Sequence, residues 1–197
     1  MSNRRDLLLD AAISLLGERG MHGLTHRAVD TQAGLPSGSA ANYFSTRDAL
    51  LDALVERVAD RERDNWDQLW AARCPTTPAE LADALAEFAH QATGPHRALT
   101  LARYAVLVEA AHRPPLRAQL AAVGGRVRAH FLTWIRVSGS TDLERDAPII
   151  MNCWTGLVLH QLSYPNPNFD PLGQLGPLVA ALFPGRSPRG KRGSHGP

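Results

Sequence analysis

Apolar residues recur along most of this chain every three or four positions, the spacing that places them on one face of an α-helix. Nine segments show this spacing, and no stretch has the alternation of apolar and polar residues typical of a β-strand. We therefore predict an all-α protein of about nine helices. The predicted helices cover Arg4–Glu18, Thr25–Ala33, Pro36–Tyr43, Arg47–Ala72, Ala79–Thr93, His96–His112, Leu116–Val137, Leu143–Ser163 and Pro171–Phe183.

Residues that favour helix ends support these boundaries. Thr25 and Thr46 stand where an N-cap side chain is expected, as do Ser2 and Asn3 before the first helix. Gly20 follows the first helix, and glycine commonly ends a helix in a left-handed conformation. Pro36 is suited to the first turn of the third helix. Pro148 lies inside the eighth predicted segment and is expected to delay its start or to kink it.

The segment THRAVDTQAGLPSGSAANYF, residues 25–44, has the pattern of a helix-turn-helix. Two short helices are joined by a tight turn at Gly34, where glycine permits a positive φ. The second helix carries small side chains, which allow it to enter a DNA major groove about 12 Å wide. The pattern alone also fits an ordinary helical hairpin within a bundle.

The surrounding motifs extend this pattern. LLLDAAISLLGERG precedes it, AGLPSGS forms its turn, and NYFSTRDALLDAL follows it. On these motifs, residues 4–51 resemble the DNA-binding domain of the TetR family of bacterial transcriptional regulators. Four positions depart from the family pattern: Ala41 and Asn42 replace the usual aromatic residues, Arg47 replaces Lys, and Pro36 replaces Ser or Thr.

The resemblance implies a set of residues that contact DNA. Asn42 has the side chain that binds adenine through N6 and N7. Arg27 is expected at the backbone or a base edge, while Tyr43 and Arg47 are expected at phosphates. Thr25 can cap its helix and offer a group to phosphate. The predicted DNA-binding residues are Thr25, Arg27, Ser37, Gly38, Ser39, Asn42, Tyr43 and Arg47.

The resemblance also implies a division of the chain into three parts. Residues 1–46 form the DNA-binding domain, residues 47–183 a helical ligand-binding and dimerisation domain, and residues 184–197 a flexible basic tail. The last two helices are expected to form the dimer interface, with Gly156, Leu157, His160 and Leu178–Leu182 suited to close packing.

Most aromatic residues lie in the second part, where pockets between helices are often lined by such side chains. Asn152 and His160 are candidates for orienting a ligand there, although each aromatic residue also fits a simple core position. The predicted ligand-binding residues are Trp66, Trp70, Phe88, Tyr104, Phe131, Trp134 and Trp154.

Composition narrows the function classes further. The formal net charge is only +2, and four basic residues lie after position 185, so the rest of the chain is not a general polyanion binder. No apolar stretch approaches the ~20 residues of a membrane span and no signal peptide is apparent, so we expect a cytoplasmic protein with no membrane partner. His22 and His26 have no third ligand nearby, and we predict neither a metal site nor a cofactor.

These observations lead to one principal hypothesis. The protein is predicted to be a homodimeric transcriptional regulator that binds double-stranded operator DNA and is released by a small, largely apolar effector. The alternative is a helical small-molecule-binding protein or enzyme whose front hairpin is only structural, although no phosphate loop or nucleophile elbow is present. The sequence does not separate a repressor from an activator, nor does it show whether Cys74 or Cys153 senses redox state.

Overall fold

The computed structural model describes residues 3–183, apart from the side chains of residues 70, 126, 127 and 130. The predicted basic tail, residues 184–197, lies outside the described residues. Within them the secondary structure is entirely helical, as predicted. The helices are α1 Arg4–Gly23, α2 His26–Gln32, α3 Ser39–Tyr43, α4 Arg47–Arg73, α5 Pro78–Thr93, α6 Arg97–His112, α7 Pro114–Val137, α8 Leu143–Ser163 and α9 Pro171–Leu182.

Side-chain caps begin three of these helices at the predicted places. Asn3, Thr25 and Thr46 accept hydrogen bonds from backbone N–H groups in the first turns of α1, α2 and α4. At the start of α5, Thr77 and Glu80 form a capping box in which each side chain accepts from the other's backbone N–H. Each of these caps satisfies N–H groups that have no partner within the helix.

Gly20 interrupts α1, whereas Pro148 does not change where α8 begins. At Gly20 the backbone turns left-handed, with φ +65°, and this kink separates α1 from its last short segment. Pro148 leaves the start of α8 at Leu143 unchanged, so it does not delay the helix.

Two hydrophobic clusters divide the molecule. The first joins α1, α2 and α3 to the N-terminal half of α4 and to one face of α6. The second joins the C-terminal half of α4 and Tyr104 of α6 to α5, α7, α8 and α9. Both α4 and α6 therefore contribute to the two clusters, and the proposed boundary after residue 46 lies at the start of a helix that both halves share.

Close packing and ion pairs hold α1 and α4 in place. A Cβ atom on Gly17 would lie 2.3 Å from the carbonyl oxygen of Ala98, so only glycine lets α1 approach α6 this closely. Arg57 of α4 donates to both carboxylate oxygens of Asp10 in α1, at 2.8 and 2.7 Å.

Within residues 3–183, no helix combines the length and the apolar character needed to cross a membrane.

Candidate functional site

A buried carboxylate organises the turn between α2 and α3. Asp30, which is 3% exposed, accepts hydrogen bonds from the backbone N–H groups of Gly38 and Ala40 at 2.8 and 2.7 Å. Gly38 has φ +90°, a left-handed conformation that favours glycine. Two fixed N–H donors therefore set the direction in which α3 leaves the turn.

This turn corrects the predicted third helix. The prediction began at Pro36, but α3 begins at Ser39, because Gly38 is left-handed and residues 36–38 are turn. The Ser39 backbone N–H and hydroxyl both donate to the Pro36 carbonyl, at 3.1 and 2.7 Å. Ser37 and Gly38 therefore precede the helix that they were expected to open.

The predicted DNA-binding residues share one property, which is that none is buried. Gly38 in the turn and Ser39 at the start of α3 are half-buried, and the others are exposed on or just before α2, α3 and α4. The N–H of Gly38 already donates to Asp30, so this backbone group is occupied. The exposed members are Thr25, Arg27, Ser37, Asn42, Tyr43 and Arg47.

Backbone contacts tie α4 and the end of α3 to the preceding elements. The Arg47 guanidinium donates through Nη2 to the carbonyl of Met21, at 2.8 Å. The ring Nε2 of His26 lies 2.7 Å from the carbonyl oxygen of Phe44, so this histidine bridges α2 and the end of α3. The position of Arg47 at a helix start is thereby fixed beside the loop that leads into α2.

A cavity of about 390 Å³, lined mostly by apolar side chains, lies between α4, α6, α7 and α8. That volume lies near the lower end of ligand pockets in proteins. Val55, Val58 and Val106 line the cavity and also belong to the first hydrophobic cluster, the one that packs the helix-turn-helix. The wall of the cavity and the core behind the helix-turn-helix are therefore partly the same side chains.

A second, much smaller cavity of about 40 Å³ adjoins the first. Glu62, Trp66, Arg103 and Met151 line both cavities and so form the partition between them. His96 also lines the smaller cavity, and its buried Nδ1 has no hydrogen-bond partner among the described residues. The smaller cavity therefore offers a polar atom to any group that reaches it.

The structure brings together only some of the predicted ligand-binding aromatics. Trp66 and Phe131 line the larger cavity, while Trp66, Phe88 and Trp154 line the smaller one. Tyr104 and Trp134 are buried and line neither cavity, and the Tyr104 hydroxyl donates to the carbonyl of Thr155. The Trp70 side chain lies outside the described residues.

The charged residues of the cavity were missed by the sequence prediction. Nε of Arg103 lies 3.1 Å from Oε1 of Glu62, and both side chains are about four-fifths buried. Burial raises the pKa of the Glu62 carboxyl, and the charge of Arg103 opposes that rise. Arg128 is the third charged residue in the lining and is exposed. No spacing in the sequence indicates that α4, α6 and α7 bring these three groups together.

Asn152 and His160, which were predicted to orient a ligand, lie elsewhere. Both are exposed on the outer face of α8, beside an open groove against α9. The same face exposes Ile149 and Leu159, and Leu172 is exposed at the start of α9. This face of α8 and α9 therefore combines exposed apolar groups with small and polar ones.

Known protein families match both halves of the chain. Residues 8–54 match the family described as bacterial regulatory proteins, tetR family. Residues 76–185 match the family described as tetracyclin repressor-like, C-terminal domain. Together the two matches include the helix-turn-helix, the first half of α4 and α5 to α9.

Two curated relatives are named as regulators. The HTH-type transcriptional regulator BetI of Rhizobium meliloti (strain 1021) is 28% identical over 159 residues, which are 80% of this chain and 77% of that protein. The HTH-type transcriptional regulator PksA of Bacillus subtilis (strain 168) is 38% identical over 65 residues, 31% of this chain and 32% of that protein.

Solved structures share the fold over nearly the whole chain. The multidrug binding protein EbrR, in complex with imidazole, has 26% identity and a TM-score of 0.67, covering 96% of this chain and 99% of that one. A transcriptional regulator from Rhodococcus sp. Rha1 has a TM-score of 0.75 at 19% identity, covering 91% and 96% of the two chains.

Proposed function

The chain belongs to the TetR family of bacterial regulatory proteins, and from this premise we propose that it is a homodimeric repressor released from its operator by a small organic effector. As a family member it is a DNA-binding transcriptional regulator with a ligand-binding C-terminal part, and it is not an enzyme. We propose in particular that it represses transcription, that named residues contact DNA and effector, and that two copies form a dimer.

The observation that carries the proposal is the shared wall of the cavity. Val55 and Val58 of α4 and Val106 of α6 face the cavity and also pack the core behind the helix-turn-helix. A molecule that fills the cavity presses on side chains that position α1 to α4. It can thereby favour a conformation in which the DNA-reading helices no longer fit the operator.

A related protein supports a small-molecule effector. EbrR, at 26% identity, is described as a multidrug binding protein, and its solved complexes contain proflavin or imidazole. The cavity here is enclosed by aromatic and aliphatic side chains, with three charged groups. We propose that it holds the effector, with Trp66 and Phe131 in contact and Phe88 and Trp154 behind them.

For DNA we propose that α3 enters the major groove. Asn42 is exposed on α3 and can read an adenine, while Arg27, Tyr43 and Arg47 flank the helix and can bind phosphates. Thr25 and Ser37 lie at the ends of the same exposed surface, and Gly38 and Ser39 shape the turn. Residues 1–46 would then act as the DNA-binding domain and residues 47–183 as the effector and dimerisation domain.

We propose that the exposed face of α8 and α9 is the dimer interface. Ile149, Leu159 and Leu172 are large apolar side chains on that face, and Gly156 has open space around it. The isologous pairing of such faces would bury them in a four-helix arrangement. A recognition helix of five residues contacts few bases. A dimer reads two half-sites and thereby gains useful specificity.

The two free cysteines provide a test of this interface. Cys74 and Cys153 are both exposed on one chain, but only Cys153 lies on the proposed face, on α8. Maleimide should modify Cys74 rapidly and Cys153 slowly at concentrations where light scattering gives twice 21.4 kDa. Equal rates at the dimeric mass would place the interface elsewhere, and Leu159→Arg should convert the protein to monomers with equally reactive cysteines.

Footprinting on the DNA upstream of the gene tests the regulatory role. A protected palindrome, together with a reporter gene that is silenced by the protein, is expected for a repressor. Increased reporter expression on the same operator would instead identify an activator. Tight binding to that DNA with no difference from an unrelated duplex would contradict sequence-specific regulation.

A further inference from the structure

The charges around the larger cavity indicate which class of effector it accepts. Among the described residues its lining carries two arginines, Arg103 and Arg128, and one carboxylate, Glu62. The described part of the lining therefore carries one more positive than negative charge. Bringing a cation into this space would add a second uncompensated charge at a partly dehydrated site, whereas a monoanion would balance it.

The Glu62–Arg103 pair leaves donors on the arginine. The contact to Glu62 uses Nε of Arg103, and a guanidinium has five N–H donors. Its remaining contact among the described residues is with the ring of Tyr104, 5.9 Å from the guanidinium carbon. The terminal Nη groups of Arg103 are therefore available to a ligand carboxylate, with Glu62 holding the guanidinium in place.

Arg128 supplies the second cationic group at the edge of the same space. It is exposed on α7, and within the described part of the chain it has no ion pair or hydrogen bond. Most of the other lining residues are apolar and include Trp66, Phe131 and Met151. The cavity thus offers two cationic groups for a head and an apolar wall for a body.

We infer that the effector is an organic monoanion of the carboxylic acid class, whose carboxylate is bound by Arg103 and Arg128 and whose apolar body lies against Trp66 and Phe131. The inference rests on the proposed function of the cavity and specifies its ligand. A glutamate without an ion-pair partner would instead favour a cationic ligand. Here Glu62 is already paired with Arg103.

Three probes with one body test the charge preference on the full chain. The probes are 2-naphthoate, 2-naphthamide and 2-naphthylmethylammonium, and the measurement is isothermal titration calorimetry. Naphthoate should bind at least about tenfold more tightly than the amide or the ammonium, because a hydrogen-bonded ion pair contributes more than a neutral contact. Equal affinities, tighter binding of the ammonium, or no binding of any probe would overturn the inference.

Two arginine variants test which part of the protein causes the preference for the anionic probe. Arg128→Gln should weaken naphthoate binding about tenfold and leave the amide unchanged. The matched control is Arg136→Gln, an exposed arginine on the same helix that does not line the cavity. An equal loss in both variants would mean that overall charge, and not the site, attracts the anion, and would overturn the inference.

Arg103 needs a further control because its loss leaves Glu62 without its partner. Arg103→Gln and the double variant Glu62→Gln/Arg103→Gln should both weaken naphthoate binding, because both lack the guanidinium. Naphthoate binding that survives in the double variant as in the wild type would exclude Arg103 from the site and overturn the inference.

Release from DNA distinguishes this inference from the proposed function. Operator release by the ammonium and not by naphthoate would support a ligand-responsive repressor and overturn the anion assignment. Tight, arginine-dependent binding of naphthoate without release would support the anion assignment and contradict release by the cavity ligand.

Discussion

The geometry of the turn between α2 and α3 depends on Asp30. Its buried carboxylate accepts two backbone N–H groups from the turn and from α3, at Gly38 and Ala40. An amide in its place has one oxygen acceptor, and its NH₂ group would face the second N–H. A donor would then lie against a donor in a buried site.

Asp30→Asn should therefore lower the free energy of unfolding by about 1.5–3 kcal/mol, the range for a hydrogen bond to a charged group. Urea unfolding at fixed protein concentration measures the loss. Asp83→Asn is the matched control, because Asp83 is exposed on α5, and it should change stability little. If the two variants are equally stable, the carboxylate does not hold the turn.

Glu62 makes the stability of the protein depend on pH in an unusual direction. Burial raises the pKa of its carboxyl in the folded protein, so the folded state holds the proton more tightly than the unfolded state. The contribution of Glu62 is then complete below the ordinary pKa of glutamate and is lost as pH rises through the raised value.

Relative to Glu62→Gln, the wild type should lose unfolding free energy as pH increases from about 4.5. Parallel denaturation of both proteins across this pH range measures the difference, and effects of other groups cancel between them. A wild-type protein that gains stability over the variant with rising pH would show that the attraction of Arg103 outweighs burial.

At the level of helices, the contact between α1 and α6 depends on a missing side chain. Gly17→Ala would place a methyl group 2.3 Å from the Ala98 carbonyl oxygen, which forces two backbones apart. We expect a loss of about 1–3 kcal/mol in unfolding free energy. Gly125→Ala, in an open position on α7, should be neutral or stabilising by up to about 1 kcal/mol. Equal effects would show that α1 and α6 are not tightly packed at Gly17.

The recognition helix and the start of α4 should affect DNA binding in different ways. Asn42→Ala should cost about 1–3 kcal/mol at one base pair of each half-site and relax the preference there. Arg47→Ala should weaken binding to all sequences alike and reduce the salt dependence by about one phosphate contact. Competition binding with single-base operator variants at several salt concentrations separates the two. Loss of affinity in Asn42→Ala without altered preference would remove it as a base-reading residue.

Helices with local signals could be predicted from the sequence, and contacts between distant helices could not. Thr25 and Thr46 cap helices through N–H groups three residues away, so their role is visible in the local pattern. Asp30 acts on groups eight and ten residues away and depends on the left-handed backbone of Gly38. Glu62 and Arg103 meet only because α4 and α6 pack in one particular register, which periodicity does not determine.

Over the whole molecule, we expect the two proposed sites to communicate through α4. This helix has 27 residues and is thus about 40 Å long, with Arg47 at the proposed DNA surface and Glu62 and Trp66 at the cavity. Arg57 of α4 forms an ion pair with Asp10 of α1, and Asp48 of α4 forms one with Arg113. Through these pairs α4 is tied both to α1 and to the connection between α6 and α7. We therefore expect a displacement at the cavity to reach the elements that hold the helix-turn-helix.

Thermodynamic linkage makes this communication measurable from either end. If a cavity ligand weakens operator binding by some factor, the operator must weaken binding of that ligand by the same factor. For 2-naphthoate we expect a coupling of about 1–3 kcal/mol, or 5–150-fold, in titrations with and without operator duplex. Gly124→Trp, at an open position in the cavity lining, should weaken operator binding without ligand because the indole occupies the same space. An unchanged naphthoate affinity in the presence of operator would mean that α4 does not couple the sites.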